Sequence, residues 1–184
     1  YDLDGNCQWV RATNNGQIKS IAIDPNGNLF LYCWSNDNLS PTTTFNGPPA
    51  ITVANGPIIA KMTAEGQLLW AKSIGVNIDG NLAIHGNRLY FSGGHYDQYA
   101  SLLGTKIQFN PGYKTALVAA MDTSANSILW LRVFQSPLGA SFTDMEFKSD
   151  DKLLLAGAFK GSLISPLATD TLLGSQDYFV QLCA

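Results

Sequence analysis

Charged side chains are scarce in this 184-residue chain, at 14% of residues, against about 25% in an average soluble domain. The net charge is −3 and no basic stripe runs along the sequence. Nucleic-acid binding, which depends on a clustered cationic surface, is therefore not expected. No apolar run approaches the roughly 20 residues that span a bilayer. The chain opens at Tyr1 with neither Met nor a signal peptide, as expected where either processing or the choice of expressed segment has removed the true start. Histidine is nearly absent, with 2 residues. No metalloprotease helix, nucleophile elbow, phosphate-binding loop or paired-cysteine zinc pattern occurs. Asn, Gly, Ser and Thr fill the polar positions, a balance that suits an extracellular β-rich protein better than a cytosolic enzyme.

What the chain does have is an internal period. Trp9-Val10-Arg11, Trp70-Ala71-Lys72 and Trp130-Leu131-Arg132 stand 61 and then 60 positions apart. Around each Trp the same order returns. A turn precedes it, and a short apolar run follows about a dozen residues later (Ile21-Ala22-Ile23, Leu82-Ala83-Ile84, Met145-Glu146-Phe147). A tight turn then leads to a second run (Leu29-Phe30-Leu31, Leu89-Tyr90-Phe91, Leu153-Leu154-Leu155). After a long connection comes a third (Ile58-Ile59-Ala60, Leu117-Val118-Ala119, Tyr178-Phe179-Val180). Self-similarity at this period indicates a propeller or solenoid.

The expected fold is all-β: three tandem four-stranded antiparallel repeats, or propeller blades, in a single array over 1–184, with units at approximately 1–61, 62–121 and 122–184. The turns 24–28, 85–87 and 149–151 join the first and second strands as hairpins. A short turn such as 63–67 joins the third strand to the Trp strand. A lone meander cannot bury both faces, so stacking around an axis is the natural solution. Small residues after the second strand (Ser92-Gly93-Gly94, Ala156-Gly157-Ala158) would permit close approach near that axis. Trp9, Trp70 and Trp130 are read as structural packing residues, with the Lys or Arg two positions on sharing their face by strand alternation. Natural propellers have about four to eight blades, so three imply a larger or shared propeller. A homodimer or, preferably, further blades of a longer parent array would complete it.

The pattern resembles the SBBP type of β-propeller repeat, carried here by Ile58-Ile59-Ala60-Lys61, Gly66-Gln67, Leu69-Trp70-Ala71-Lys72, Ile21-Ala22-Ile23-Asp24 and Gly27-Asn28-Leu29-Phe30. The likeness covers essentially the whole chain. It implies a secreted or cell-surface protein, often from the Bacteroidota, where type IX secretion is common; no C-terminal sorting domain is visible. The Trp strand is also similar to the docking repeat of quinoprotein propellers, but only fragments of that motif occur, and no cofactor is expected.

The chain begins and ends at the same phase of its repeat. By that alignment Cys7 and Cys183 fall opposite one another across a hairpin, so a Cys7–Cys183 disulfide is one expectation and two unrelated thiols the other. Cys33 is expected to be buried.

Strand parity places the long connections on one side, where binding residues concentrate. The candidates there are Trp34 and Asp37, then His95, Tyr96, Asp97 and Tyr99, then Phe159 and Lys160. Aromatic residues with polar tips suit a sugar or a protein partner; the alternative is that they pack down their own loops. His95 and Asp97 offer two ligands on one loop, too few for a metal site. Asp24-Pro25-Asn26-Gly27-Asn28 lacks the alternating acids of a calcium loop and reads as a turn. No catalytic residue and no metal is nominated. The expected function is a noncatalytic binding or assembly scaffold, of adhesion type, for protein or glycan. The alternatives are part of a polysaccharide-active enzyme whose site is completed elsewhere, or a structural spacer.

Overall fold

A computed structural model describes residues 3–35, 41–47, 49–75, 81–95, 99–109, 112, 114–148, 152–164 and 172–183. These residues form strands and turns, and none of them lies in a helix that could cross a membrane. The protein is all-β, built from several small antiparallel sheets. It divides into two compact units, Tyr1–Ile74 and Gly75–Ala184.

The first unit contains β1 (Gly16–Ile23), β2 (Leu29–Ser35), β3 (Thr42–Phe45), β4 (Ile51–Ala54), β5 (Gly56–Met62) and β6 (Leu68–Ser73). Its main sheet has the order β1-β2-β5-β6, and β3 and β4 pair as a separate hairpin. The β1–β2 turn closes where the Asp24 amide donates to the Asn28 carbonyl at 2.9 Å, with Gly27 at φ 81°, a conformation that glycine adopts without a Cβ clash. Side-chain alternation sorts the sheet into two faces. On one, Ile21, Leu31, Ala60 and Ala71 lie abreast, as do Ile23, Leu29, Met62 and Leu68. On the other, Phe30 meets Trp70 edge-on at 6.0 Å. Lys72 Nζ stands 5.7 Å over the Trp70 ring. The hairpin is tied to β2 by polar side chains: Ser35 Oγ donates to Asn55 Oδ1 at 3.0 Å, and Thr43 Oγ1 donates to Ser35 Oγ. Both hydroxyls are buried, where an unmatched polar group would cost about 1–3 kcal/mol.

The second unit contains β7 (Leu82–His85), β8 (Arg88–His95), β9 (Tyr99–Leu102), β10 (Thr105–Gln108), β11 (Lys114–Asp122), β12 (Ile128–Ser136), β13 (Ala140–Phe147), β14 (Leu153–Leu163) and β15 (Leu172–Cys183). A four-stranded sheet runs β12-β11-β8-β7, a hairpin pairs β9 with β10, and a three-stranded sheet runs β13-β14-β15. The four- and three-stranded sheets pack face to face. Tyr90, Ala116, Val118, Ala120 and Phe134 of the former share a core with Phe142, Met145, Leu153, Leu155 and Phe159 of the latter. Trp130 meets Tyr90 edge-on at 5.9 Å, with the Arg132 guanidinium 5.9 Å from its ring. Trp130 thus repeats the role of Trp70, an aromatic brace under a cation.

One sequence expectation is revised by these sheets. Each Trp strand, β6 or β12, pairs beside the third strand of its meander and closes its own sheet at the edge, so the sheets span 16–73 and 82–136. The long connections after β2 and β8 are not open loops throughout. They carry the β3–β4 and β9–β10 hairpins, and in the last sheet β14 and β15 simply extend, pairing as far as Leu163 and Leu172. Backbone amides in such long excursions need partners, and strand pairing supplies them. The turn at 149–151 lies outside the described residues, although Lys148 N donates to the Lys152 carbonyl across it at 2.9 Å.

Candidate functional site

The candidate binding residues on the long connections do not form one described cluster. Trp34 is half-buried on β2, in register between Gln17 and Pro57. Asp37, Tyr96 and Asp97 lie outside the described residues, and of His95 only the backbone, at the end of β8, is described. Tyr99 opens β9 with an exposed ring, and Lys106 Nζ from β10 stands 4.4 Å from its centroid. Phe159 is corrected from a ligand candidate to a core residue: it is 5% exposed and packs between the two sheets of the second unit. Lys160 stays exposed, its amide donating to the Gly139 carbonyl at 2.8 Å.

Trp9 does not stand in a strand. Its Nε1 donates to the Ala64 carbonyl at 2.8 Å, and Arg11 Nε donates to the Gly66 carbonyl at 2.7 Å. Both bonds clamp the segment onto the β5–β6 turn. Gly66, at φ 80°, carries the ring so closely that a Cβ there would come within 2.6 Å of it. Cys7 bears a free, exposed thiol, where the alignment had suggested a bond to Cys183, whose side chain lies outside the described residues. Cys33 is buried as expected, and burial pushes its thiol pKa up to about 11, which leaves it inert as a nucleophile at neutral pH.

The Trp9–Arg11 clamp forms one wall of a pocket of about 230 Å³ in the first unit. Its floor is the apolar face of the main sheet, through Ile21, Leu29, Leu31, Met62 and Leu68, and Phe45 and Asn46 of the hairpin close the other wall. Ile18, Ile21 and Ile23 of β1 carry this face out into solvent. Exposed isoleucines beside an apolar pocket make this the candidate surface of the first unit. Sequence reasoning missed it because those isoleucines align with core positions of the other units; their exposure is a matter of what lies beside the sheet.

Three carboxylates among the described residues are perturbed, and all belong to turns; Glu65, exposed in the β5–β6 turn, has its pKa lowered by bonds from Thr63 and from its own amide. For Asp24, burial opposes the charge, but bonds from Asn28 and Asn26 and the Lys61 ammonium at 3.8 Å hold its pKa below the ordinary value. For Asp122, burial again opposes the charge and hydrogen bonds win: Ser124 N donates at 2.9 Å, Ser127 N at 2.6 Å, and both hydroxyls add to them. Its pKa is held far below the usual carboxylate range. With their lone pairs engaged, neither aspartate is poised as a general acid or base. A folded-state pKa below the unfolded one gives stability that is present above about pH 3.9 and is lost as pH falls toward the folded value. Urea midpoints measured from pH 7 down to pH 2 should therefore drop below pH 4. Asp122→Ala should be less stable at pH 7 and show a shallower acid limb; an unchanged limb would remove Asp122 from that account.

Among the described residues no three His, Cys, Asp or Glu side chains converge as a metal site. In comparisons with known proteins, no family model matches the chain and no curated protein matches it.

Proposed function

We propose that the chain is a noncatalytic, secreted or cell-surface module of β-propeller type, built from three blades of a larger or shared array, which works as a binding and assembly scaffold. The observation that carries this reading is the open apolar face of the first unit, with Ile18, Ile21 and Ile23 exposed beside a pocket walled by Trp9, Arg11 and Phe45. An apolar floor with a thin polar rim fits a polypeptide better than a sugar, whose hydroxyls need many polar partners. The engagement of Asp24 and Asp122 in turns also speaks for binding over chemistry. A glycan partner has one observation in its favour, the exposed Tyr99 ring beside Lys106, since such rings stack on sugars.

The test presents soluble and insoluble polysaccharides to the chain and follows both reducing ends and bound protein. No release of reducing ends is expected. Turnover that Asp37→Asn or Asp97→Asn abolishes would overturn the reading in favour of an enzyme, and retention that Tyr99→Ala removes would move the partner from protein to glycan.

A further inference from the structure

The apolar face of the first unit has a counterpart whose covering is visible. Hairpin β1–β2 pairs Ile18 with Cys33, Ile21 with Leu31 and Ile23 with Leu29; hairpin β13–β14 pairs Phe142 with Gly157, Met145 with Leu155 and Phe147 with Leu153. The two registers match position for position. Each contains a bulge at the same place, between Ile18 and Ser20 in one and between Phe142 and Asp144 in the other. A bulge fixes both the local twist and which side chains face inward. The two hairpins therefore present the same surface.

In the second unit that surface is buried. Phe142 is 2% and Met145 7% exposed, because the four-stranded sheet lies on them through Tyr90, Ala116, Val118 and Phe134. In the first unit the matching residues Ile18, Ile21 and Ile23 are 50%, 55% and 62% exposed. Side chains shaped for a sheet-on-sheet contact are left without the sheet.

The chain also carries a surface of the covering kind. On β14, Leu154, Ala156 and Ala158 alternate with the buried residues and so face away from the core of the second unit, half-buried; in the register of β8 they stand where Tyr90, Ser92 and Gly94 stand. Beside them on β13 are the exposed carboxylates of Asp144 and Glu146. The exposed Lys19 ammonium, on the β1 bulge, offers the complementary charge.

We propose that the open face of the first unit docks the outer face of the β13–β14 hairpin of a second copy of this chain, head to tail. The inference rests on the scaffold reading above and names its partner. A contact between two different faces is heterologous, so it propagates to an open series or closes into a ring. Sheets packed this way sit about 10 Å apart, with Ile18, Ile21 and Ile23 buried against Leu154, Ala156 and Ala158.

Light scattering coupled to size exclusion over a concentration series tests it. The chain should form a dimer or a ladder in monomer steps. Ile21→Glu, at an exposed position, should be monomeric with an unchanged thermal transition. Lys19→Glu and Glu146→Lys should each weaken association about tenfold, as loss of a close charge pair does. Mixing K19E chains with E146K chains should restore it, because each interface in the mixture again pairs opposite charges. A chain monomeric at every concentration overturns the inference and leaves the face to another polypeptide. Association that survives Ile21→Glu, or a mixture no stronger than its components, overturns it too. Polysaccharide turnover with assembly intact would overturn the scaffold reading alone, so the two failures are distinguishable.

Discussion

Replacing Phe134 by Ala lowers the stability of the second unit by about 3–5 kcal/mol, the expected cost of emptying a fully enclosed aromatic site. Phe134 is 0% exposed on β12 and meets Phe142 of β13 edge-on at 5.0 Å and 89°. It is therefore a contact between sheets, not within one. Its loss removes transfer energy and leaves a void that two pleated surfaces, each fixed by its own hydrogen bonds, close poorly. Urea unfolding followed by circular dichroism checks this. A fall under about 1 kcal/mol would mean that the sheets slide together to fill the space.

Gly75→Ala is the second large effect. Gly75 has φ 72°, and a Cβ built on it would stand 2.1 Å from the Ser101 carbonyl oxygen. The obstacle is backbone of β9, so relief requires moving the β9–β10 hairpin. The left-handed backbone alone costs a residue with a Cβ about 1–2 kcal/mol, and the collision adds to it; a total above about 2 kcal/mol is expected. Gly86 provides the control, with φ 57° and nothing within 4 Å of the added Cβ. Gly86→Ala should cost only the backbone term, about 1 kcal/mol. Equal losses at the two positions would show that the contact with Ser101 is without consequence.

Sequence reading was strongest where one local rule sets the outcome. The alternation that put Lys72 and Arg132 on the faces of Trp70 and Trp130 is a property of any strand, and both cation–ring pairs are present. The Asp24 turn was legible because Asp, Asn and Gly at those spacings close a hairpin by themselves. Phe159 was misjudged, although it continues the inward alternation of Leu153, Leu155 and Gly157; the Ala-Gly-Ala stretch before it suggested that the strand had ended. The hairpins β3–β4 and β9–β10 were missed because comparison of repeats attends to what recurs, and Thr42–Phe45 with Ile51–Ala54 has no like-sequenced partner in the other units. Trp9 was expected in a strand because it aligns in the repeat with Trp70 and Trp130. Its indole N–H found the Ala64 carbonyl instead, a contact that no pattern near residue 9 announces.

The placement of the hairpins also bears on how quickly the chain can find its sheets. In the first unit β1 follows directly into β2, and β5 into β6, by short turns, so each pair can zip locally before anything distant is in place. Among the strand pairs of the main sheet the demanding step is bringing β5 to β2 across residues 36–55, whose closure consumes conformational entropy that rises with the length of free chain. With β3 already paired to β4, much of that stretch behaves as a rigid segment, and each halving of the free length recovers about 0.6 kcal/mol of the closure entropy. An excursion that looks like an obstacle to folding thereby becomes a splint, shortening the search for the central strand pair.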